Sequence, residues 1–163
     1  LENPVAFGQK NKTNIAELIT IADLQLLPFS KAKKRIKKAL KSSDPWKRYW
    51  GLIACSSFGE NAKSFFKKAE KIAKTDSERL VQIRAIEFLA LNHQPVNKEQ
   101  IINLLKNASS KTEANLMLNS IALIKSTQPD FNINIPKSIF NPEWIKREGD
   151  LVKERVDFIN QNK

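Results

Sequence analysis

Few residues of this chain are of the types that catalysis needs. The one cysteine, Cys55, falls in a helical pattern among Ile53, Ala54 and Phe58, with no basic side chain fixed beside it. The nucleophilic form of cysteine is the thiolate, so an apolar setting makes Cys55 a small buried hydrophobe. The one histidine, His93, stands in Asn92-His93-Gln94-Pro95, just past a predicted helix end, and reads as a helix-terminal or loop residue. A single Cys and a single His exclude an internal disulfide and a multi-Cys zinc site, and they argue against a Ser-His-Asp triad. Arg84 and Glu87 are of the types for an acid-base pair, but on a buried helix they read as groups bonding across repeats or pointing outward. Trp46, Tyr49 and Trp50 at i, i+3 and i+4 make either a platform for a base or sugar ring or a packing cluster, and packing is the reading taken. No residue is assigned a catalytic, cofactor-binding or metal-ligating role.

Charge is the other candidate for chemistry. The 163 residues carry 28 Lys and Arg against 17 Asp and Glu, a net charge of +11. Residues 1–74 hold 16 basic against 6 acidic side chains, and residues 75–163 hold 12 against 11. The excess is concentrated in two predicted helices. Lys33, Lys34, Lys37, Lys38 and Lys41, with Lys31 and Arg35, crowd the first. Lys67, Lys71 and Lys74, with Lys63 and Lys68, crowd the second. As outer members of successive helix pairs they would form one positive face, either a solvated surface or a contact for a sulfated glycan, another polyanion or an acidic partner. Lysine without interleaved Arg and aromatic residues argues against specific nucleic-acid recognition.

The elements that must position these groups are helical nearly throughout. The chain has the length of one domain, and only 4 Gly and 7 Pro, which excludes collagen-like and turn-rich β architectures. No apolar run approaches the roughly 20 residues that span a bilayer. An initial Leu1 in place of Met, without a signal peptide, is what a fragment of a longer protein looks like. Ile15, Leu18, Ile19 and Ala22 form an inward stripe, with Asn14 and Glu17 as a capping box. Ser30 is the expected cap of the lysine-rich helix. Asp44-Pro45 supplies an N-cap and a proline at N1, and Gly59 a C-cap. A further helix covers 62–75. Residues 79–91 are apolar almost all round, which demands neighbours on several sides. Asn97 with Gln100, and Ser110 with Glu113, are further capping boxes. Residues 126–141, with two prolines and alternating Phe131, Ile133 and Ile135, predict an extended connection with a short strand, and Trp144 an anchor for the tail.

Gly51 and Ala85 occupy one small-residue slot 34 residues apart, and Leu118 follows 33 residues on. A two-helix period in the thirties means a helical solenoid. The expected architecture is therefore one all-α domain over 1–163: repeats over 14–125 in about three helix pairs, an extended linker over 126–147 and a terminal helix over 148–160.

The stretch Asp44-Pro45-Trp46-Lys47-Arg48-Tyr49-Trp50-Gly51, followed by Val81-Gln82-Ile83-Arg84-Ala85-Ile86-Glu87-Phe88-Leu89, resembles the HEAT-like domain C-terminal to the catalytic domain of many bacterial sulfatases. Ile21-Ala22-Asp23-Leu24 in the opening helix is also similar. Lys47 stands where Val is usual in that family and Gln82 where Arg is usual. The resemblance implies a non-catalytic accessory domain acting in stability, docking or substrate access. It would serve a parent sulfatase that is exported or periplasmic, binds calcium and supplies the catalytic domain as partner. Such sulfatases use a formylglycine made within Cys/Ser-x-Pro-x-Arg. Cys55-Ser56-Ser57-Phe58-Gly59 lacks the Pro and the Arg, and Ser43-Asp44-Pro45-Trp46-Lys47 ends in Lys. No catalytic residue carries over. The rival readings are a DNA-binding HEAT-like module of the alkylation-repair glycosylase kind, gripping a duplex through the positive face and Trp46 and Trp50, and a protein-binding scaffold.

Overall fold

The computed structural model describes residues 3–128 and 130–161, and among them there is helix and no strand. The described chain divides into two compact units, Leu1–Phe66 and Lys67–Lys163.

In the first unit α1 (Pro4–Lys10) and α2 (Lys12–Ala22) lead through a 3-10 turn at Asp23–Leu26 to α3 (Phe29–Ala39) and α4 (Pro45–Phe58). The apolar positions of α3, Ala32, Ile36 and Ala39, are buried, with its lysines outward. The start of α4 follows from its sequence. The Asp44 side chain accepts the Trp46 N–H, and Pro45 occupies a position whose N–H would have no helical partner. Gly59 ends α4 at φ 52°, in the left-handed region that favours glycine. A 3-10 stretch, Gly59–Phe65, follows where a regular helix was expected from residue 62. It folds Phe65 and Phe58 edge-on around Phe29, with ring centroids 6.3 and 5.3 Å away.

Gly51 is the close-approach point of this unit. A Cβ built there would stand 3.1 Å from the Ala39 Cβ and 3.2 Å from Leu40 Cδ2, so a side chain at this position would be crowded and glycine lets α4 lie this near α3 without strain.

In the second unit α6 (Arg79–Leu91) and α8 (Lys111–Thr127) pack together, and α9 (Leu151–Asn160) packs on α8, with α5 (Phe66–Thr75) and α7 (Lys98–Lys106) completing the helices. The all-round apolar pattern of α6 is explained by burial of Val81, Ile83, Ala85, Ile86, Phe88, Leu89 and Ala90. Asn97 caps α7 by accepting from Glu99 and Gln100 N–H, and Ser110 caps α8 by accepting from Glu113 N–H.

Four local expectations are corrected. Asn14 lies inside α2 and caps nothing, and Glu17 pairs with Lys47 of α4 instead. α3 starts at Phe29 after Pro28, so Ser30 is within the helix and no side chain caps its start. Gln100 does not close a box with Asn97, because its amide donates to the Ala73 carbonyl. The expected short strand is absent: Phe131, Ile133 and Ile135 are buried in alternation with exposed Asn132 and Asn134, but no second strand lies alongside. The Asn160 side chain takes that place. Its oxygen accepts the Ile135 N–H at 2.8 Å and its amide donates to the Ile135 carbonyl at 2.9 Å.

Candidate functional site

The lysines single out two helical faces. On α3, Lys33, Lys34, Lys37 and Lys38 are exposed together with Lys31 and Arg35, and Lys41 follows just past the C-cap. Lys31, Lys34 and Lys38 fall at i, i+3 and i+7, one line along the helix. None of Lys31, Lys34, Lys37 or Lys41 forms an ion pair among the described residues. Lys33 lies over the Phe29 ring, 5.8 Å from its centroid, and Arg35 donates to the Thr20 carbonyl of α2 at 3.3 Å. On α5, Lys67, Lys71 and Lys74 are exposed at i, i+4 and i+7. The first set belongs to the first unit and the second set to the second, and each is a face of its own helix.

The aromatic cluster of α4 is split in its roles. Tyr49 is buried, Trp50 is half-buried, and Trp46 is 49% exposed. Tyr49 meets Trp46 and Trp50 edge-on, with centroids 5.8 and 5.9 Å apart. Packing therefore describes Tyr49 and most of Trp50, while Trp46 offers one side to solvent.

The remaining candidates are spent on structure. Cys55 is fully buried, and burial pushes its thiol up to about 12, far from a thiolate at neutral pH. His93 adopts φ 56°, its N–H bonds to the Ala90 carbonyl, and the Gln94 N–H reaches back to Leu89. It is the left-handed residue that closes α6. Its ring sits beside Gln128, whose amide also donates to the Ala90 carbonyl. Arg84 pairs with Glu87 on the same helix face, one turn on, and the Glu87 side chain is nearly closed off from water. The two therefore pair within one helix, and neither is exposed. Trp144 is half-buried in a 3-10 turn.

One ion pair that ties two helices together was not foreseen. Arg79, at the start of α6, holds Glu113, at the start of α8, with two hydrogen bonds of 3.0 Å. Partial burial of Glu113 opposes its ionisation, but the bonds from Arg79 and Ser109 outweigh this and hold its carboxyl below the usual value. The 34-residue separation equals the Gly51–Ala85 spacing, and that repeat was the available signal. Among the described residues, no three His, Cys, Asp or Glu are grouped to hold a metal ion.

Sequence reading also missed the exposure of the first two helices. α1 and α2 bury no residue, and Val5, Phe7, Ile15 and Ile19 stand in solvent, at 67, 52, 37 and 55% exposure. The inward stripe of α2 reduces to Leu18 and Ala22, both half-buried.

No protein-family model matches this chain, and no curated protein or solved structure is significantly similar to it. Among the described residues no helix is long and apolar enough to cross a membrane.

Proposed function

We propose that this chain is a non-catalytic accessory domain of the kind that follows the catalytic domain of bacterial sulfatases, built as a HEAT-like stack of helix pairs and acting in stability, docking or substrate access. One observation supports the reading above all: the residues that carry the resemblance are spent on architecture. Asp44 caps α4 and Pro45 opens it. Arg48 donates to the Ser42 and Ser43 carbonyls at 2.9 Å. Tyr49 is buried, and Gly51 admits α3. A motif used in this way belongs to a scaffold, and the chemistry would reside in a partner catalytic domain with its own calcium, exported together with this one.

The test has two arms. Purified chain should turn over neither aryl sulfate nor aryl phosphate above buffer background, and turnover abolished by a point substitution in this chain would overturn the reading. The gene upstream of Leu1 should encode a Cys/Ser-x-Pro-x-Arg motif, and a complete gene without one would remove the sulfatase parent.

The exposed Trp46 favours one rival, the duplex-gripping module. Such a module would bind an abasic duplex distinctly better than an intact one and lose that preference on Trp46→Ala. We expect equal, weak, salt-sensitive binding of both, because lysine supplies charge without the bidentate geometry that Arg brings to phosphate.

A further inference from the structure

We propose that the exposed face of α3 is a docking site for a sulfated polysaccharide. Residues 1–66 carry twelve Lys and Arg against five Asp and Glu, and seven of those cations fall within 31–41. No Asp or Glu stands between Asp23 and Asp44. Ala32 and Ile36 mark the buried side of the helix, so Lys34 and Lys38, each two residues further on, project from the opposite side. Lys31 lies one turn before Lys34, and Lys41 follows just past the C-cap, both exposed.

This arrangement repels itself. Lys31 and Lys34, Lys34 and Lys38, and Lys33 and Lys37 are like charges one turn apart, with no acid among them. Packing requires only that this side be polar, and mixed charges would meet that need without repulsion. α5 shows the mixture: Glu70 comes three residues after Lys67 and four before Lys74, so that lysine face carries its own counter-charge. Glu17 of α2 does not serve α3 in this way. It is held ionised by its bond to Lys47, with Lys38 close enough to add to the effect. A partner that brings anions along α3 relieves the repulsion.

The partner that gains most is a line of dense negative charge, because cations laid along it release its condensed counterions. An acidic protein surface has no such layer, and exposed ion pairs to it contribute little. Among linear polyanions, the groups absent from the face decide. Nucleic-acid strands are gripped by aromatic side chains that stack on bases and by Arg that binds phosphate bidentately. The aromatic residue of α3, Phe29, is packed edge-on against Phe58 and Phe65 and covered by Lys33. Its one arginine, Arg35, donates to the Thr20 carbonyl of α2. Lysine is what remains, a point charge on a flexible stem that needs no fixed geometry. A polysaccharide bearing sulfate half-esters offers permanently ionised groups and no bases to stack, which is what such a face can use. The proposal rests on the charge of α3 and is independent of the sulfatase reading.

The experiment is calorimetric titration of the full chain with dextran sulfate, oligothymidylate and polyglutamate of matched charge, and with uncharged dextran, at low and high salt. We expect dextran sulfate to bind about tenfold or more tighter than the other two polyanions, weakening as salt rises, and uncharged dextran not to bind. Lys34→Gln with Lys38→Gln should weaken dextran sulfate binding by about tenfold or more, and Lys67→Gln with Lys71→Gln, which removes the same charge from α5, by about threefold or less. All four lysines are exposed, and circular dichroism checks that each variant keeps its helix content. No binding of dextran sulfate at low salt, or equal binding of uncharged dextran, would overturn the proposal. Equal losses in the two double variants would overturn it by reducing the effect to net charge. Oligothymidylate or polyglutamate bound as tightly as dextran sulfate would reassign the face to nucleic acid or to an acidic protein. None of these results bears on the aryl sulfate and gene tests of the accessory-domain reading.

Discussion

Replacing Gly51 by alanine asks whether α3 and α4 touch where the repeat slot places them. In an open helix the substitution stabilises by about 1 kcal/mol, since glycine leaves more backbone freedom to lose on folding. At Gly51 the new methyl would sit 3.1 Å from the Ala39 Cβ and 3.2 Å from Leu40 Cδ2. Relaxed carbon contacts lie at about 3.5–4.0 Å. The Leu40 methyl can rotate aside, but the Ala39 Cβ is fixed to the backbone of α3, so that backbone must give by a few tenths of an ångström. Overpacking of this sort costs about 1–3 kcal/mol. The sum runs from neutral to about 2 kcal/mol destabilising.

Gly8 is the matched control. It lies inside α1, and a Cβ there meets nothing within 4 Å, so Gly8→Ala should gain the full helical increment. Urea unfolding followed by circular dichroism reads both variants on one scale. The expected separation is about 1–3 kcal/mol, with Gly8→Ala the more stable. Gly51→Leu should fall well below either. If Gly51→Ala gains as much as Gly8→Ala, the close approach of α3 and α4 is absent and the small-residue slot loses its physical reason.

Three further outcomes follow from burial and bonding. Tyr49→Ala should cost about 3–5 kcal/mol and Trp46→Ala well under half of that, because Tyr49 is buried and Trp46 is half in solvent; denaturant titration decides it. Glu113 has a lowered folded pKa, so its contribution is present above the unfolded value near 4.5 and disappears as pH falls through the folded one. Glu113→Gln should therefore cost about 1 kcal/mol at neutral pH and nothing in acid, since the pair is partly exposed; equal losses at both pH values would refute the sign. Asn160→Ala removes both partners of the Ile135 backbone and should cost about 1–3 kcal/mol, with faster hydrogen exchange at the Ile135 amide as the specific signature.

Elements whose signals are local were legible in the sequence. Asp44-Pro45, Asn97, Ser110 and Gly59 act within a few residues of themselves, and each terminates a helix as its chemistry dictates. The uniformly apolar run of α6 was legible because nothing but burial on several sides satisfies it. Groups with distant partners were not. Gln100 leaves its cap for the Ala73 carbonyl 27 residues away, and Asn160 serves Ile135 across 25. Both amides look like ordinary polar residues, because neither the cap nor the helix end records which remote backbone group needs a partner. The lysine faces were legible as charge on one side of a helix, since Ala32, Ile36 and Ala39 fix which side is buried.

The α2 stripe carries the same lesson in reverse. Ile15, Leu18, Ile19 and Ala22 have the spacing of a buried face, yet no residue of α2 is buried. Periodicity states which side of a helix prefers to leave water, and only the neighbouring elements decide whether it does. α2 is held at its polar edge, by Glu17 to Lys47 and by Thr20 to Arg35, so its apolar edge turns away from the packing that fixes it. The stripe keeps its preference for an apolar phase without a protein surface that satisfies it. Apolar spacing is therefore a statement of preference, and burial has to be read from the elements that pack on it.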